Sequence, residues 1–231
     1  MQPSLSKMTR VKLAFVLDCT GSMEPWIHAA KTKIREMVDK VVQEHEDADV
    51  QVGLVGYRDY HDRERFIIED FTTPERVMQR LYTVEADGGG DEAEDVAHAL
   101  QQTMGLFWDE AEVRMVVHIA DAPAHGLMFH EPHIGDEFPN GDPEYVDPRN
   151  SMRLMSREAF FYTFVKITSA TDTMLDAFHN AWNGAGMFQV IDLRPQHLGR
   201  RRGADTSDML SPAVSRAVSQ AIDYYTLSQG V

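Results

Sequence analysis

Short runs of consecutive apolar residues alternate along this chain with stretches in which apolar positions recur every three or four residues. The first run, Leu13-Ala-Phe-Val-Leu17, is too short and too rich in β-branched and aromatic side chains for a helix, so it reads as a buried strand. Further strands are predicted at 50–57, 66–71, 113–120, 162–167 and 187–193. Between them, Ile27, Ala30, Ile34, Met37, Val38 and Val41 mark one face of a long helix starting near Glu24, with Pro25 suited to its first turn. A short helix opens at Thr73-Pro74-Glu75, and another carries Ala93, Val96, Ala97, Leu100 and Met104 on one face. Helices are also predicted around 151–160 and through Met174, Leu175, Phe178 and Trp182. A terminal helix bears Leu210, Val214, Val218 and Ala221, with Asp205 or Ser207 as its cap.

Strands and helices in alternation predict a three-layer, Rossmann-like α/β fold, with a central, mostly parallel sheet and helices on both faces. The polar link 58–65 is hairpin-like, which makes 66–71 an antiparallel edge strand. No repeat or linker divides the chain, so an N-terminal tail at 1–10 and one domain over 11–231 are expected. Residues 122–150 are rich in Pro, Gly, Asp and His and lack periodicity; a loop that long in a compact domain is usually functional or mobile.

The candidate chemistry lies where the strands end. The first strand runs into Asp18-Cys-Thr20-Gly-Ser22-Met, the fourth into Asp121, and a helix opens after Gly88-Gly-Gly90-Asp91-Glu-Ala-Glu94-Asp95. Open α/β sheets bind ligands at the carboxyl ends of their strands, and all three loops fall at that edge. Asp18, Thr20, Ser22, Asp91 and Asp121 offer only oxygen donors, the set a hard divalent cation prefers: Mg²⁺, or alternatively Mn²⁺ or Ca²⁺. Taken alone, Asp18-Thr20-Ser22 also reads as an ordinary capping turn before Glu24.

With these loops in order, the sequence resembles the von Willebrand factor A domain family over roughly residues 10–228. D-C-T-G-S-M is similar to the family's D-x-S-x-S run, with threonine in the first hydroxyl position. Together with G-G-G-D-E-A-E-D and A-D-A-P-A-H-G, it looks most like the A domains found with atypical alpha-kinases. The resemblance implies a metal-ion-dependent adhesion site with Asp18, Thr20 and Ser22 as first-loop ligands and Asp121 from the later loop. It also implies a protein partner that completes the metal shell with an acidic side chain. Where the family usually has G-G-x-T, this chain has Gly88-Gly89-Gly90-Asp91, so either Asp91 or Glu94 is the second-loop ligand. An extra carboxylate makes the site more negative, which favours its own cation over an acidic partner.

Two other functions remain open. D-C-T-G-S is similar to the D-K-T-G-T run of phosphorylated-aspartate ATPases, which would make Asp18 the nucleophile of a Mg²⁺-dependent phosphohydrolase, with Arg58 and Arg65 as a phosphate clamp. No late Gly-Asp-Gly-x-Asn-Asp segment accompanies it, and the two arginines read better as part of an exposed hairpin. Alternatively, the metal only staples the loops. His125, His130 and His133 follow no familiar zinc spacing and read as ordinary hydrogen-bonded or solvent-facing histidines. Phe129, Phe138 and Tyr145 are expected to anchor their loop, and Phe160, Phe161, Tyr162 and Phe164 to be core.

The formal charge of −15 argues against nucleic acid and anionic membranes as partners. Arg200-Arg201-Arg202 is the one concentrated basic spot and reads as a solvated loop. No stretch is long and apolar enough for a membrane span, and the lone Cys19 fits a reducing compartment, so the expected location is the cytoplasm. The expected function is a divalent-metal-dependent protein-binding module, a scaffold or regulator and not a catalyst.

Overall fold

The computed structural model describes residues 8–194 and 206–229. Six strands form one sheet: β1 (Thr9–Asp18), β2 (Ala48–Tyr57), β3 (Phe66–Thr72), β4 (Val113–Ala120), β5 (Phe161–Lys166) and β6 (Met187–Asp192). Their spatial order is β3-β2-β1-β4-β5-β6, and every neighbouring pair is parallel except β2 with β3. The sequence reading of a parallel sheet with one antiparallel edge therefore holds. The helices are α1 (Glu24–Glu44), α2 (Pro74–Tyr82), α3 (Val96–Met104), α4 (Pro148–Arg157), α5 (Asp172–Ala181) and α6 (Thr206–Gln229). The caps considered at Asp205 and Ser207, and the Arg200–Arg202 spot, lie outside the residues whose side chains are described.

Strand alternation divides the core in two. Val11, Leu13, Phe15 and Leu17 of β1 pack with Val113, Met115, Val117 and Ile119 of β4 against α1, α2 and α6. The intervening Ala14, Val16, Val116 and Ala120 face α3, α4 and α5. Burial on both faces explains why these strands read as continuous apolar runs. Phe160, Phe161, Tyr162 and Phe164 are buried in this core, as expected from their pattern. So is Cys19, whose thiol burial pushes up to about 12.

One polar chain crosses the second core. His118 of β4 contacts Tyr57 Oη through Nε2 at 3.0 Å and Tyr162 Oη through Nδ1 at 2.7 Å. Burial pushes this imidazole down to about 3, so it stays neutral.

The strand order matters most for function. After β1 the chain moves first to β2 and β3 on one side; β4 then returns to the other side of β1. The carboxyl ends of β1 and β4 therefore flank the point where the winding reverses, the crevice in which open sheets bind ligands. Asp18 ends β1, and Asp121 directly follows β4.

Candidate functional site

Asp18 is completely buried. Its Oδ1 accepts hydrogen bonds from the Thr20 amide at 3.0 Å and the Thr20 hydroxyl at 2.7 Å. Its Oδ2 is buried with no hydrogen-bond partner among the described residues. Neither the turn Gly21–Met23 nor α1 receives a side-chain cap bond at its N-terminus. The capping reading of this run therefore fails: Thr20 turns back to the aspartate that precedes it.

The second loop reaches the same place through its glycines. Gly88 and Gly89 have φ of +84° and +79°, in the region that favours glycine. A Cβ on Gly88 would collide with the Asp62 carboxylate, whose Oδ2 accepts the Gly89 amide at 3.0 Å. A Cβ on Gly89 would stand 2.8 Å from Glu94 Oε1 and 3.4 Å from Thr20 Cβ. The missing side chain thus leaves room for the Glu94 carboxylate on one side and Thr20 on another. Glu94 is only 3 % exposed, and its Oε2 has no partner among the described residues.

The third loop brings Asp121. Its carboxylate accepts a hydrogen bond from the Ser22 hydroxyl, while its Oδ1 is buried and unpartnered among the described residues. Ser22, Asp91, Glu92, Glu94 and Asp121 line one cleft of about 610 Å³, and His133 of the long loop closes part of its rim.

Crowded and desolvated carboxyls resist ionisation. Burial and then the charge of Asp121 push Asp18 up to about 7. Burial and the charges of Asp18, Asp59, Asp62 and Asp91 push Glu94 up to about 10. Burial also raises Asp121, against the Ser22 hydrogen bond. A divalent cation would reverse these shifts and give the orphaned oxygens a partner. The residues present therefore fit such an ion, with Asp18, Thr20, Ser22, Asp121 and a second-loop carboxylate as its donor set.

Asp91 lines the cleft and also bonds to the long loop. Its Oδ2 accepts the Glu137 amide, and burial raises its carboxyl against that bond; its Oδ1 is buried without a partner among the described residues. It also lies beside His125 and Asp136, the three offering ligand atoms within 4.8 Å of one another. Of the two second-loop carboxylates, Glu94 is the one whose carboxyl is raised by the charge of Asp18, and Asp91 ties the cleft to the long loop.

That loop is held by its own carboxylates. Asp136 accepts the amides of Gly126 and Phe138 at 2.7 Å each, and Asp142 accepts those of Glu144 and Val146 at 2.8 and 3.0 Å. His125 bridges Asp59 Oδ1 and Asp136 Oδ1 at 2.8 Å each, and His130 Nε2 lies 2.8 Å from Asp136 Oδ2. Burial opposes a charge on His125, but its two carboxylate partners raise it to about 9, so it carries a proton at neutral pH. The hydrogen-bonded reading of His125 and His130 holds, while His133 is exposed at the cleft. Phe129 is buried as an anchor and Phe138 packs on Tyr60, but Tyr145 is 95 % exposed and anchors nothing. Its position in a tight polar turn, with φ +63°, points it outward.

The arginines also differ from the sequence reading. Arg58 is buried, not exposed, and donates to the carbonyls of Cys19 at 3.2 Å, Glu64 at 2.7 Å and Glu85 at 2.8 Å. Arg65 donates to Asp95 Oδ2 at 2.6 Å and stacks on Tyr60 at 3.8 Å. Neither lines the cleft. Arg58 fastens the first loop, the hairpin and the glycine-loop approach together, a role that nothing in its sequence neighbourhood marks.

The parallel sheet, its antiparallel edge and a strand-end crevice at the reversal of winding define a Rossmann-like α/β domain of the A type. Residues 12–131, just over half of the chain, match the von Willebrand factor A domain family, and the chain belongs to it. It is 33 % identical over 138 residues to the alpha-protein kinase vwkA of Dictyostelium discoideum, a match covering 59 % of this chain and 22 % of that protein. The fold is similar to that of the pilus adhesin SpaC from Lactobacillus rhamnosus GG, at a TM-score of 0.60 and 12 % identity, covering 94 % of this chain and 30 % of SpaC. It is also similar to the SpRpn10 VWA domain, at a TM-score of 0.53 and 10 % identity, covering 91 % and 94 % of the two chains. No helix among the described residues is long and apolar enough to cross a membrane.

Proposed function

We propose that this chain is a protein-binding module whose partner docks at a divalent cation, Mg²⁺ by donor chemistry, held at the sheet edge. Asp18, Thr20, Ser22 and Asp121 would hold the ion, with Glu94 as the second-loop donor and Asp91 behind it. The ion would supply a positive, oxygen-seeking centre at which a group on the partner completes the shell. One observation carries this reading: buried oxygens of Asp91, Glu94 and Asp121 in the lining of a single cleft, and of Asp18 at the end of β1, have no partner among the described residues. An unpartnered buried carboxylate costs several kcal/mol, so a group of them calls for a common counter-ion.

Binding is favoured over phosphoryl transfer because Arg58 and Arg65, the expected phosphate clamp, are committed to loop carbonyls and to Asp95. It is favoured over a purely structural metal because Arg58 and the His125 bridge already hold the loops together without one. The family is one of interaction modules in general, and the likeness to an alpha-protein kinase supports a regulatory or scaffold role beside such enzymes.

The test is calorimetric titration of chelator-treated protein with Mg²⁺, Mn²⁺ and Ca²⁺, alongside Asp18→Ala. One saturable site in the wild type, lost in the variant, is the expected result. Equal binding by the two, or none by either, would refute the assigned ligand set.

A further inference from the structure

The lining of the cleft bears on what kind of partner can enter it. Asp91, Glu92, Glu94, Asp121, Glu131 and Asp172 all contribute to it, and no lysine or arginine among the described residues does. Asp172 is offset from behind by Lys166. Glu92 and Glu131 are exposed at the rim, where each accepts one local hydrogen bond, from the Gly135 amide and the Thr173 hydroxyl. Asp18 lies beneath, fully buried.

A cluster of acids on a protein of charge −15 is by itself unremarkable. Here the floor supplies a second observation: Glu94, 3 % exposed, lines the cleft with Oε2 unpartnered among the described residues. One divalent ion cancels two charges, and the floor and rim together carry more than that. An acidic side chain entering the cleft would meet the charges of Glu92 and Glu131 in its lining, and like charges repel.

From this excess we infer that the partner presents a lysine- or arginine-rich segment to the cleft, with its cationic groups seated on Glu92 and Glu131. The inference rests on the binding-module reading above and names the class of partner for the same site. It departs from the acidic partner that the family resemblance implies. Any direct contact with the ion then comes from a neutral oxygen, such as a backbone carbonyl or hydroxyl, carried within that basic segment.

The experiment uses the whole chain and two fluorescein-labelled peptides, hexalysine and hexaglutamate. Binding is followed by anisotropy with millimolar Mg²⁺ at about 50 mM salt, where surface charge is only partly screened. Hexalysine is expected to bind and hexaglutamate not to bind. The double variant Glu92→Gln/Glu131→Gln keeps both local acceptors and should weaken hexalysine about five- to tenfold. A control pair at the opposite sheet edge, Glu46→Gln/Asp49→Asn, removes the same charge and should change affinity less than about twofold.

Mg²⁺-dependent binding of hexaglutamate would overturn the inference. So would equal losses in the two double variants, since hexalysine would then be sensing only the overall charge. Calorimetry with Mg²⁺ on the same proteins separates the two readings. Failure to bind metal refutes the ligand set, whereas the peptide comparison decides the basic partner whatever that result.

Discussion

Two carboxylate clusters lie next to each other at the top of the sheet, and they are built in opposite ways. Around His125 the protein pairs its acids: Asp59 and Asp136 hold the two ring nitrogens, and Asp136 also takes His130 and two backbone amides. Despite burial, these bonds keep the Asp136 carboxyl below its usual range. Around Ser22, Asp18 and Glu94 keep unpartnered oxygens and are pushed up to about 7 and about 10. Acidic content does not distinguish the two regions. What distinguishes them is whether the protein itself supplies the positive charge.

The sharpest break is His125→Ala. It removes the cation between two buried carboxylates and should cost about 3–5 kcal/mol, read as a shift in urea midpoint at pH 7. A loss below about 1 kcal/mol would mean the cluster is not the internally neutralised one described. The pH dependence has a definite sign. His125 is held at about 9 against an ordinary 6.5, so its contribution is complete below about pH 6.5 and is lost as pH rises through about 9. His125→Gln should remove that part of the stability–pH curve.

The neighbouring cluster should respond to metal instead. Mg²⁺ at a hundred times its dissociation constant should add about 2.7 kcal/mol to the wild type and nothing to Asp18→Ala, measured by thermal unfolding. Because Asp18 and Glu94 must ionise to bind, Mg²⁺ should release protons at pH 7 and bind more tightly as pH rises. Titrations in buffers of different ionisation enthalpy would measure the protons released; none released would contradict the raised carboxyls. Gly89→Ala, strained at φ +79° and crowding Glu94, should cost about 1–2 kcal/mol and weaken Mg²⁺ binding with it. At the bottom of the scale, Tyr145→Ser should change stability by less than about 0.5 kcal/mol, its ring being fully in solvent.

The fold was legible because its strands are buried on both faces and its helices carry one apolar face, patterns that survive any detail of packing. The antiparallel edge was readable from the shortness of the 58–65 link. Asp18, Thr20 and Ser22 stood out as candidates because they follow one strand end at alternate positions. Glu94 and Asp91 could not be told apart: both follow the glycines, and only the folded loop shows Glu94 buried near Asp18 and Asp91 bonded to the long loop. Arg58 was misread for a related reason. A basic residue in a polar link looks solvent-exposed until three carbonyls from distant parts of the chain converge on it.

His118 carries a consequence of a different order. A neutral imidazole has one donor and one acceptor, and here both face tyrosine hydroxyls, which can serve as either. The hydrogens can therefore be arranged in two senses, from Tyr57 toward Tyr162 or the reverse, without displacing a heavy atom. The centre of the sheet thus holds a single binary choice, a direction written only in hydrogens and legible as the tautomer of one ring in a nitrogen-15 spectrum.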